Sequence, residues 1–537
     1  MADRDATRRG RALVVVAFGI LLALAAVTPV GASGDGEPPP ADGPAGGTVL
    51  PPADEDSVSI VPTDERPDEP AEQPSGATGL DQTGGFDLGD VGPLVAVGWL
   101  LVALLSLLAT VIAVTRLTRT LHVWRSPAAV RASGFGRVTE PATSFSLLVP
   151  ARRGEAGLGR TLDRLGGLDH PSSEVLAVVG RDDLENRAAA LAAAARSPGR
   201  VRVVVVDEEV GTRRAAALDR AVAECHGAVI GVFGPGDEVR RPLLRRVDSC
   251  FAEDRPDAVQ GGVLVVGRHW RWFTTRHVVD RYFWHRSRLQ YHAQQHFTPL
   301  EETTVFVRAA VLRAAGGWHR QSVAEGCDLG VRLSVNGAKV VARYDPSLVT
   351  HKSAPDRTGT LLREETRRIR GFLQVLRSGV WRRLPTRRQR RLARVTLLRP
   401  FAEALTGLAI TTAAVAAVVG GAPAPFAVLA LVPAVPALLT LGVELAGLAD
   451  LRQLHDQRVL RRDRLQLVLS VVPYQLLQAL AALLAMVGEL GTVGRRKVAI
   501  PAVPDAPPPL APMGPANGAG IIDLGDRREP HADRVPR

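Results

Sequence analysis

An uncharged stretch at residues 91–114 constrains the fold of this chain more than any other sequence feature. Its 24 residues contain no Asp, Glu, Lys, Arg or His, and an apolar helix of this length crosses a hydrocarbon core of about 30 Å. Arg116, Arg119 and Arg125 follow directly, and basic residues are retained on the cytoplasmic side of a membrane. We therefore predict a transmembrane helix at 91–114, followed by a cytoplasmic domain.

Three further apolar stretches lie near the C-terminus, at residues 404–419, 426–445 and 465–487. The first two predict a helical hairpin around a Gly- and Pro-containing turn. The third contains Pro473, Tyr474 and Gln475, so it either crosses the membrane, re-enters it or lies at its surface. Residues 400–490 are therefore predicted to form a C-terminal transmembrane region.

The two ends of the chain and the first linker have other compositions. Arginines and an apolar run fill residues 1–32, which fit a membrane anchor and a cleavable signal peptide equally well. Residues 33–90 are rich in Pro and Gly and carry fourteen acidic side chains against one arginine, a composition that cannot bury enough apolar surface to fold. This segment and the Pro-rich tail at 501–537 are predicted to be disordered.

The balance of charge indicates a membrane partner rather than nucleic acid. The chain has 66 Lys and Arg residues against 55 Asp and Glu residues, and the arginines concentrate beside the apolar stretches. Three cysteines without metal-ligand spacing argue against a zinc site or a disulfide framework.

Residues 361–399 combine many arginines with apolar residues near helical spacing, which predicts basic helices at the membrane interface. A solvated helix packed on the preceding domain is the alternative.

Residues 144–360 have the pattern of an α/β domain. Short runs of Val, Ile and Leu at 145–149, 174–179, 201–206 and 228–233 alternate with helical patterns. Strands buried on both faces are continuously apolar, and connecting helices cover them. We predict a doubly wound, mostly parallel sheet with its ligand at the carboxyl ends of the strands.

An ordered series of motifs in this domain resembles the membrane-bound family 2 glycosyltransferases, similar to the catalytic subunits of cellulose and poly-N-acetylglucosamine synthases. The resemblance implies a GT-A-like fold with flanking transmembrane helices and a nucleotide-sugar donor. By this resemblance the nucleotide is bound by four residues in three motifs. These are Glu155 after the first strand, Asp182 and Asp183 after the second, and Arg213 at a helix start. The Asp pair fits an ordinary helix cap as well, and the helix at 213 fits a plain surface helix.

Several motif positions of the family carry other residues here. The segment at 232–239 stands in place of the metal-binding Asp-x-Asp motif, with glycines at both acidic positions and Asp237 left as the implied ligand for Mg²⁺ or Mn²⁺. In the Thr-Glu-Asp block the position of the catalytic base falls on Gly326. Glu325 and Asp328 are the substitutes that remain as catalytic residues, and Asp328 also fits a helix cap.

The last motif of the resemblance, Gln-x-x-Arg-Trp, corresponds to residues 364–368. Arg367 is kept and is predicted to contact the diphosphate or the acceptor, whereas Glu364 and Arg368 replace the glutamine and the tryptophan. Two glutamates, Glu301 and Glu302, lie where the family has a Gly-rich acceptor loop. Their carboxylates are expected to repel a phosphorylated ligand.

Two functions are consistent with these observations. The first is an inverting transferase in the inner membrane that passes a sugar from a nucleotide-sugar to a cell-envelope glycan or lipid-linked acceptor. The second is a pseudoenzyme that keeps the fold and acts as a regulatory or scaffolding subunit among other envelope-glycan proteins. Both predict a multi-pass membrane protein with its globular domain in the cytoplasm.

Overall fold

A computed structural model describes residues 93–126, 134–136, 140–207, 210, 214–267, 270–419, 428–429, 431–454, 459–490 and 521–523. The predicted anchor or signal peptide at 1–32 and the predicted linker at 33–90 lie outside these residues. The described part combines an α/β domain with long apolar helices.

The domain is built on an eight-stranded sheet and a separate two-stranded sheet. The order in the large sheet is β10-β3-β2-β1-β4-β7-β5-β8. Its pairs are parallel except that β7 runs antiparallel to β4 and β5. The parallel pair β6–β9 forms the small sheet. The strands are β1 Phe145–Pro150, β2 Ser173–Gly180, β3 Val201–Val206, β4 Val229–Val232, β5 Ala258–Gly261, β6 Val263–Val266, β7 Val305–Arg308, β8 Val340–Arg343, β9 Thr350–Ser353 and β10 Ile521–Asp523.

Twelve longer helices are described. They are α1 Pro93–Thr120, α2 Leu158–Gly166, α3 Leu184–Arg196, α4 Arg214–Ala221, α5 Leu243–Glu253, α6 Trp272–Phe283, α7 Glu325–Val335, α8 Thr358–Ser378, α9 Arg387–Val419, α10 Ala434–Gln453, α11 Arg461–Leu469 and α12 Val471–Leu490. Shorter helical segments cover His122–Arg125, Val222–Glu224, Trp284–Arg288, Leu289–Gln294, Ala309–Ala314 and Val380–Arg383.

Both faces of the large sheet are buried, which explains its continuously apolar strands. Successive side chains of a strand point to opposite faces. In β1, Leu147 and Val149 join a core with residues of α2, α3 and α5. Leu148 joins a second core with residues of α4 and α7. The predicted doubly wound, mostly parallel α/β fold is confirmed.

The tail contributes to this sheet, which corrects the expectation of disorder throughout residues 501–537. Residues Ile521–Asp523 pair in parallel with Val203–Val205 at the edge of the sheet. The edge strand β3 offers free backbone groups, and the tail supplies a short segment with two β-branched residues.

In the part of the chain that the structure describes, three helices are long and apolar enough to cross a membrane, namely Leu100–Thr120 within α1, α10 and α12. The expected span at 426–445 corresponds to α10, which begins later, at Ala434. The expected span at 465–487 corresponds to α12, which is continuous through Pro473. That proline lies in the first turn of α12, where a helix has no need of its missing N–H group.

The predicted interfacial segment at 361–399 forms most of α8 and the beginning of α9. One face of α8 packs on α12, where Ile369 contacts a row of alanines that includes Ala481 and Ala485. Arg370 and Arg377 of α8 each lie 3.1 Å from the Glu489 carboxylate of α12. This helix is therefore held between the α/β domain and an apolar helix.

Two glycines of α8 provide a test of this packing. A Cβ atom at Gly371 would lie 2.2 Å from Cβ of Ala324, just before α7, whereas one at Gly359 meets no atom within 4 Å. We expect Gly371→Ala to lower the stability by about 1–3 kcal/mol through overpacking. Gly359→Ala should leave stability unchanged or raise it by up to about 1 kcal/mol through helix propensity. Thermal unfolding of both purified variants measures the difference, and equal shifts would contradict the close approach of α8 and α7.

Candidate functional site

A pocket of about 200 Å³ opens where β1 and β4 end. Its wall combines the segments that follow these two strands, the loop before β7 and one face of α8. A crevice at the carboxyl ends of parallel strands is the usual ligand position in doubly wound sheets. The pocket therefore lies where the sequence predicts the nucleotide.

Three arginines from different parts of the fold surround the Glu302 carboxylate in this pocket. Arg152 follows β1, Arg214 begins α4 and Arg367 lies in α8. Their Nη atoms are 3.7, 3.4 and 3.7 Å from the nearest Glu302 oxygen, respectively. Arg214 also donates a hydrogen bond of 2.9 Å to the Glu302 carbonyl. The expected repulsion between Glu302 and a phosphorylated ligand is thus offset locally, because the glutamate brings three cations together.

Arg214 is also paired with Glu325, which is the first residue of α7. The Nη1 atom of Arg214 donates to Oε1 of Glu325, and the side chains are only 6% and 2% exposed. Arg367 Nη2 lies 3.7 Å from the second oxygen of Glu325. Burial raises the pKa of Glu325 to about 7 although Arg214 lowers it. Glu325 is therefore a carboxyl group that titrates near neutral pH, behind the arginine that lines the pocket.

Asp237 lies in the pocket wall after β4 and is 1% exposed. One of its oxygens, Oδ2, accepts a 2.7 Å hydrogen bond from the Gly234 amide and another from the Thr303 hydroxyl. The other, Oδ1, is buried without a hydrogen-bond partner among the described residues. Burial raises the pKa of this carboxyl group, with Lys352 acting in the opposite direction.

These residues do not make a metal site of protein ligands alone. Among the described residues, no group of three or more His, Cys, Asp or Glu side chains could hold a metal ion. Asp237 Oδ1 is one suitable hard ligand, and the two acidic motif positions are Gly234 and Gly236. Hence the expected Mg²⁺ or Mn²⁺ at Asp237 stays a prediction.

Gly234 and Gly326 differ in the space that is available for a side chain. A Cβ atom at Gly234 would meet its nearest neighbour, Asp237 Oδ2, at an ordinary 3.4 Å. At Gly326, the position of the family's base, a Cβ atom would lie 2.2 Å from the Glu301 carbonyl oxygen. The backbone before β7 therefore fills the space of a side chain at 326, and the missing base cannot be restored without moving that backbone.

The other predicted site residues take separate positions. Glu155 lines the pocket and accepts a hydrogen bond of 3.2 Å from the Arg152 amide. Asp183 caps α3 by accepting from the Asn186 amide, as the helix-cap alternative predicts, and Asp182 is exposed beside it. The nucleotide role of both aspartates stays a prediction.

Asp328 and Arg213 are the remaining predicted residues. Asp328 lies inside the first turn of α7 and accepts a 2.9 Å hydrogen bond from Arg332. Neither Asp328 nor Glu325 lines the pocket, but Glu325 is paired with Arg214, which does. Arg213 lies outside the described residues, and its neighbour Arg214 enters the pocket instead.

Sequence reasoning missed the central group of this site. Arg152 and Arg214 are not among the predicted nucleotide-binding residues, and the role of each depends on Glu302, more than 80 positions away. The available signal was the pair of arginines at the predicted helix start, where cations and backbone amides can meet a phosphate. Arg368, in place of the family's tryptophan, is paired with Glu365 of its own helix.

Comparisons with known proteins agree with this architecture. Residues 141–371 match the family described as "Glycosyltransferase like family 2", which confirms the predicted family resemblance for the α/β domain. A beta-monoglucosyldiacylglycerol synthase of Synechocystis sp. is 26% identical over 213 residues, 39% of this chain and 44% of that protein. One of Nostoc sp. is 21% identical over 204 residues, 38% and 44% of the two chains. This chain therefore matches less than half the length of these relatives.

Solved structures with a similar arrangement are more distant in sequence. The mannosyltransferase PcManGT from Pyrobaculum calidifontis, in complex with GDP-Man and Mn²⁺, has 17% identity and a TM-score of 0.47, covering 71% of this chain and 99% of that one. S. aureus TarS 1–349 in complex with UDP-GlcNAc has 13% identity and a TM-score of 0.31, covering 58% and 91%. A specific likeness to cellulose synthases stays a prediction.

The space around the two glycines predicts opposite results when the family's carboxylates are restored. We expect Gly234→Asp to leave the thermal unfolding temperature within about 2 °C of wild type, since a ΔΔG of 1 kcal/mol shifts it by only a few degrees. Gly326→Asp should lower the unfolding temperature clearly, because the Glu301 backbone has to move. A Gly326→Asp protein as stable as Gly234→Asp would show that the loop before β7 is not packed as described.

Proposed function

We propose that the family 2 glycosyltransferase-like domain of residues 141–371 binds a nucleotide-diphosphate sugar in the pocket and transfers the sugar to a glycan or lipid-linked acceptor. Three membrane-compatible helices among the described residues, and the arginines in the last turns of α1 and just after it, support a position at the inner face of the cell membrane. The convergence of Arg152, Arg214 and Arg367 on one carboxylate is the observation that carries the proposal.

The three arginines are suited to a diphosphate. Guanidinium groups bind phosphate oxygens in charge-assisted, often bidentate hydrogen bonds, and Glu302 already holds these three groups close together. The Glu302 side chain is 37% exposed, so it has room to turn toward solvent when a diphosphate replaces it. In this proposal arginines neutralise the leaving nucleoside diphosphate, and no step depends on a metal ion.

Binding at this point also acts on Glu325. A diphosphate that engages Arg214 draws the guanidinium away from Glu325, which then faces the pocket without the cation that lowers its pKa. The acceptor hydroxyl attacks the anomeric carbon opposite the leaving group, its proton passes to Glu325, and the bond from carbon to the diphosphate oxygen breaks. Attack from the opposite side inverts the anomeric configuration. A base with a pKa near the working pH is effective in such a step.

One observation favours a second function. The filled space at Gly326 removes the base position of the family, and Glu325 stands behind Arg214 rather than in the pocket wall. A domain with these features is suited to binding a nucleotide-sugar without turning it over. The second candidate is therefore a nucleotide-sugar-binding subunit that regulates or assembles other envelope-glycan proteins.

Removing the internal carboxylate charge tests the diphosphate site. We expect Glu302→Gln to bind UDP or GDP about tenfold more tightly than wild type, a change of about 1.4 kcal/mol, because the ligand no longer competes with Glu302. Isothermal titration of the full-length protein in detergent, with EDTA and with Mn²⁺, measures this. Glu185→Gln, an exposed control in α3, should bind as wild type does. Weaker binding by Glu302→Gln, or binding only with Mn²⁺, would contradict the arginine site.

The pH dependence of turnover distinguishes the two candidate functions. Only the ionised carboxylate accepts a proton, and burial raises the pKa of Glu325 to about 7. Sugar transfer should therefore rise as pH increases through about 7, and Glu325→Gln should lose that rise together with about 10²–10⁴-fold in kcat. Release of UDP or GDP from a panel of nucleotide-sugars, with membrane extract as acceptor, measures both. Tight binding without turnover at any pH would establish the binding subunit instead.

A further inference from the structure

A second cavity of about 360 Å³ lies among the membrane-compatible helices. Its wall includes residues of α1, α10 and α12, together with residues of α6, α8 and α9. All three helices that are long and apolar enough to span a membrane therefore contribute to one cavity.

The wall of this cavity has an apolar end and a charged end. In α1 the lining passes from Ala109 and Ala113 to Arg116, and in α10 it passes from Leu438 to Glu444. Arg116 lies 2.8 Å from Glu444 and 3.9 Å from Glu403 of α9. These contacts bring charged residues of α1, α9 and α10 together at one end of the cavity. The apolar residues lie one or two helical turns away from it.

The charged end contains a cluster of arginines and carboxylates. The described lining residues include six arginines and three carboxylates. The arginines are Arg116, Arg276, Arg281, Arg288, Arg368 and Arg399, and the carboxylates are Asp280, Glu403 and Glu444. The Nε atom of Arg288 is buried without a hydrogen-bond partner among the described residues. Two of the arginines, Arg281 and Arg368, are paired with carboxylates outside this lining, Glu301 and Glu365. The buried donor of Arg288 without an acceptor suits an anion at this end.

The second cavity shares part of its wall with the nucleotide pocket. Arg281, Trp284, Arg368 and Phe372 line both. A molecule held in the second cavity by its apolar part therefore lies next to the site at which the donor sugar is proposed to bind.

We propose that the second cavity binds a lipid-linked acceptor. The apolar chain lies against α1 and α10, a phosphate lies at the arginines around Arg116 and Arg399, and the hydroxyl-bearing head group passes the shared wall into the nucleotide pocket. The shape and charge of the cavity select one membrane lipid with a phosphate over an extended glycan, which has no apolar part. The acceptor role rests on the proposed transferase function, whereas the binding of a lipid phosphate does not.

Three probes distinguish binding of a whole lipid phosphate from binding of its acyl chains alone or of phosphate alone. Dioleoyl phosphatidic acid carries chains and phosphate, dioleoylglycerol carries the same chains alone, and inorganic phosphate lacks chains. Native mass spectrometry of the full-length protein in detergent, at equal probe concentrations, measures the bound fraction. We expect binding of phosphatidic acid, little binding of dioleoylglycerol and no competition by inorganic phosphate. Equal binding of dioleoylglycerol, or full competition by inorganic phosphate, would overturn the proposal.

Two pairs of variants test the two ends of the cavity. Ala113→Trp fills the apolar end, and its control is Val111→Trp on the exposed side of the same helix. Arg399→Gln removes a cation from the charged end, and its control is Arg391→Gln, an exposed arginine earlier in α9. We expect about tenfold weaker phosphatidic acid binding for each cavity variant and wild-type binding for each control. Loss in both members of a pair, or in neither, would place the lipid elsewhere.

UDP binding and sugar transfer distinguish a failure of the lipid site from a failure of the transferase function. UDP binding measured on the same four variants shows whether the α/β domain is intact. Lipid binding without sugar transfer would refute the transferase function and leave the lipid site standing. Sugar transfer that is equal in Ala113→Trp and wild type would refute this cavity as the acceptor site and leave the transferase standing.

Discussion

The buried guanidinium of Arg214 is the interaction on which the candidate site depends. A charge removed from water is costly unless opposite charges and hydrogen bonds surround it. Glu325 and Glu302 supply them, and together they keep the pKa of Arg214 raised in spite of its burial. Because these two carboxylates come from α7 and from the loop before β7, one arginine ties both segments to the start of α4.

This pairing gives the pocket a built-in anion. Glu302 occupies the position among three arginines that a diphosphate is proposed to take, so ligand binding is an exchange of one anion for another. Such an exchange avoids leaving three cations close together without a counterion, in a protein that contains few lysines but many arginines. The same exchange links the donor to Glu325, since both compete for Arg214.

Close packing explains why residue 326 carries no side chain. Protein interiors are filled at nearly crystalline density, so space that a side chain does not use is taken by its neighbours. Here the Glu301 carbonyl occupies that space. A glycine at 326 therefore belongs to the arrangement that brings Glu302 into the pocket. Gly234, whose surroundings leave ordinary contact distances, shows no such adjustment.

The sequence alone determined the buried strands, the apolar helices and the family resemblance, because periodicity and length are local properties of a chain. It also identified Glu325, Asp237 and Arg367 as candidates, since each falls within a recognisable motif. Only the tertiary structure decided that Arg152, Arg214 and Arg367 meet at Glu302. Distances between residues far apart in sequence set these roles, and no local pattern encodes such distances.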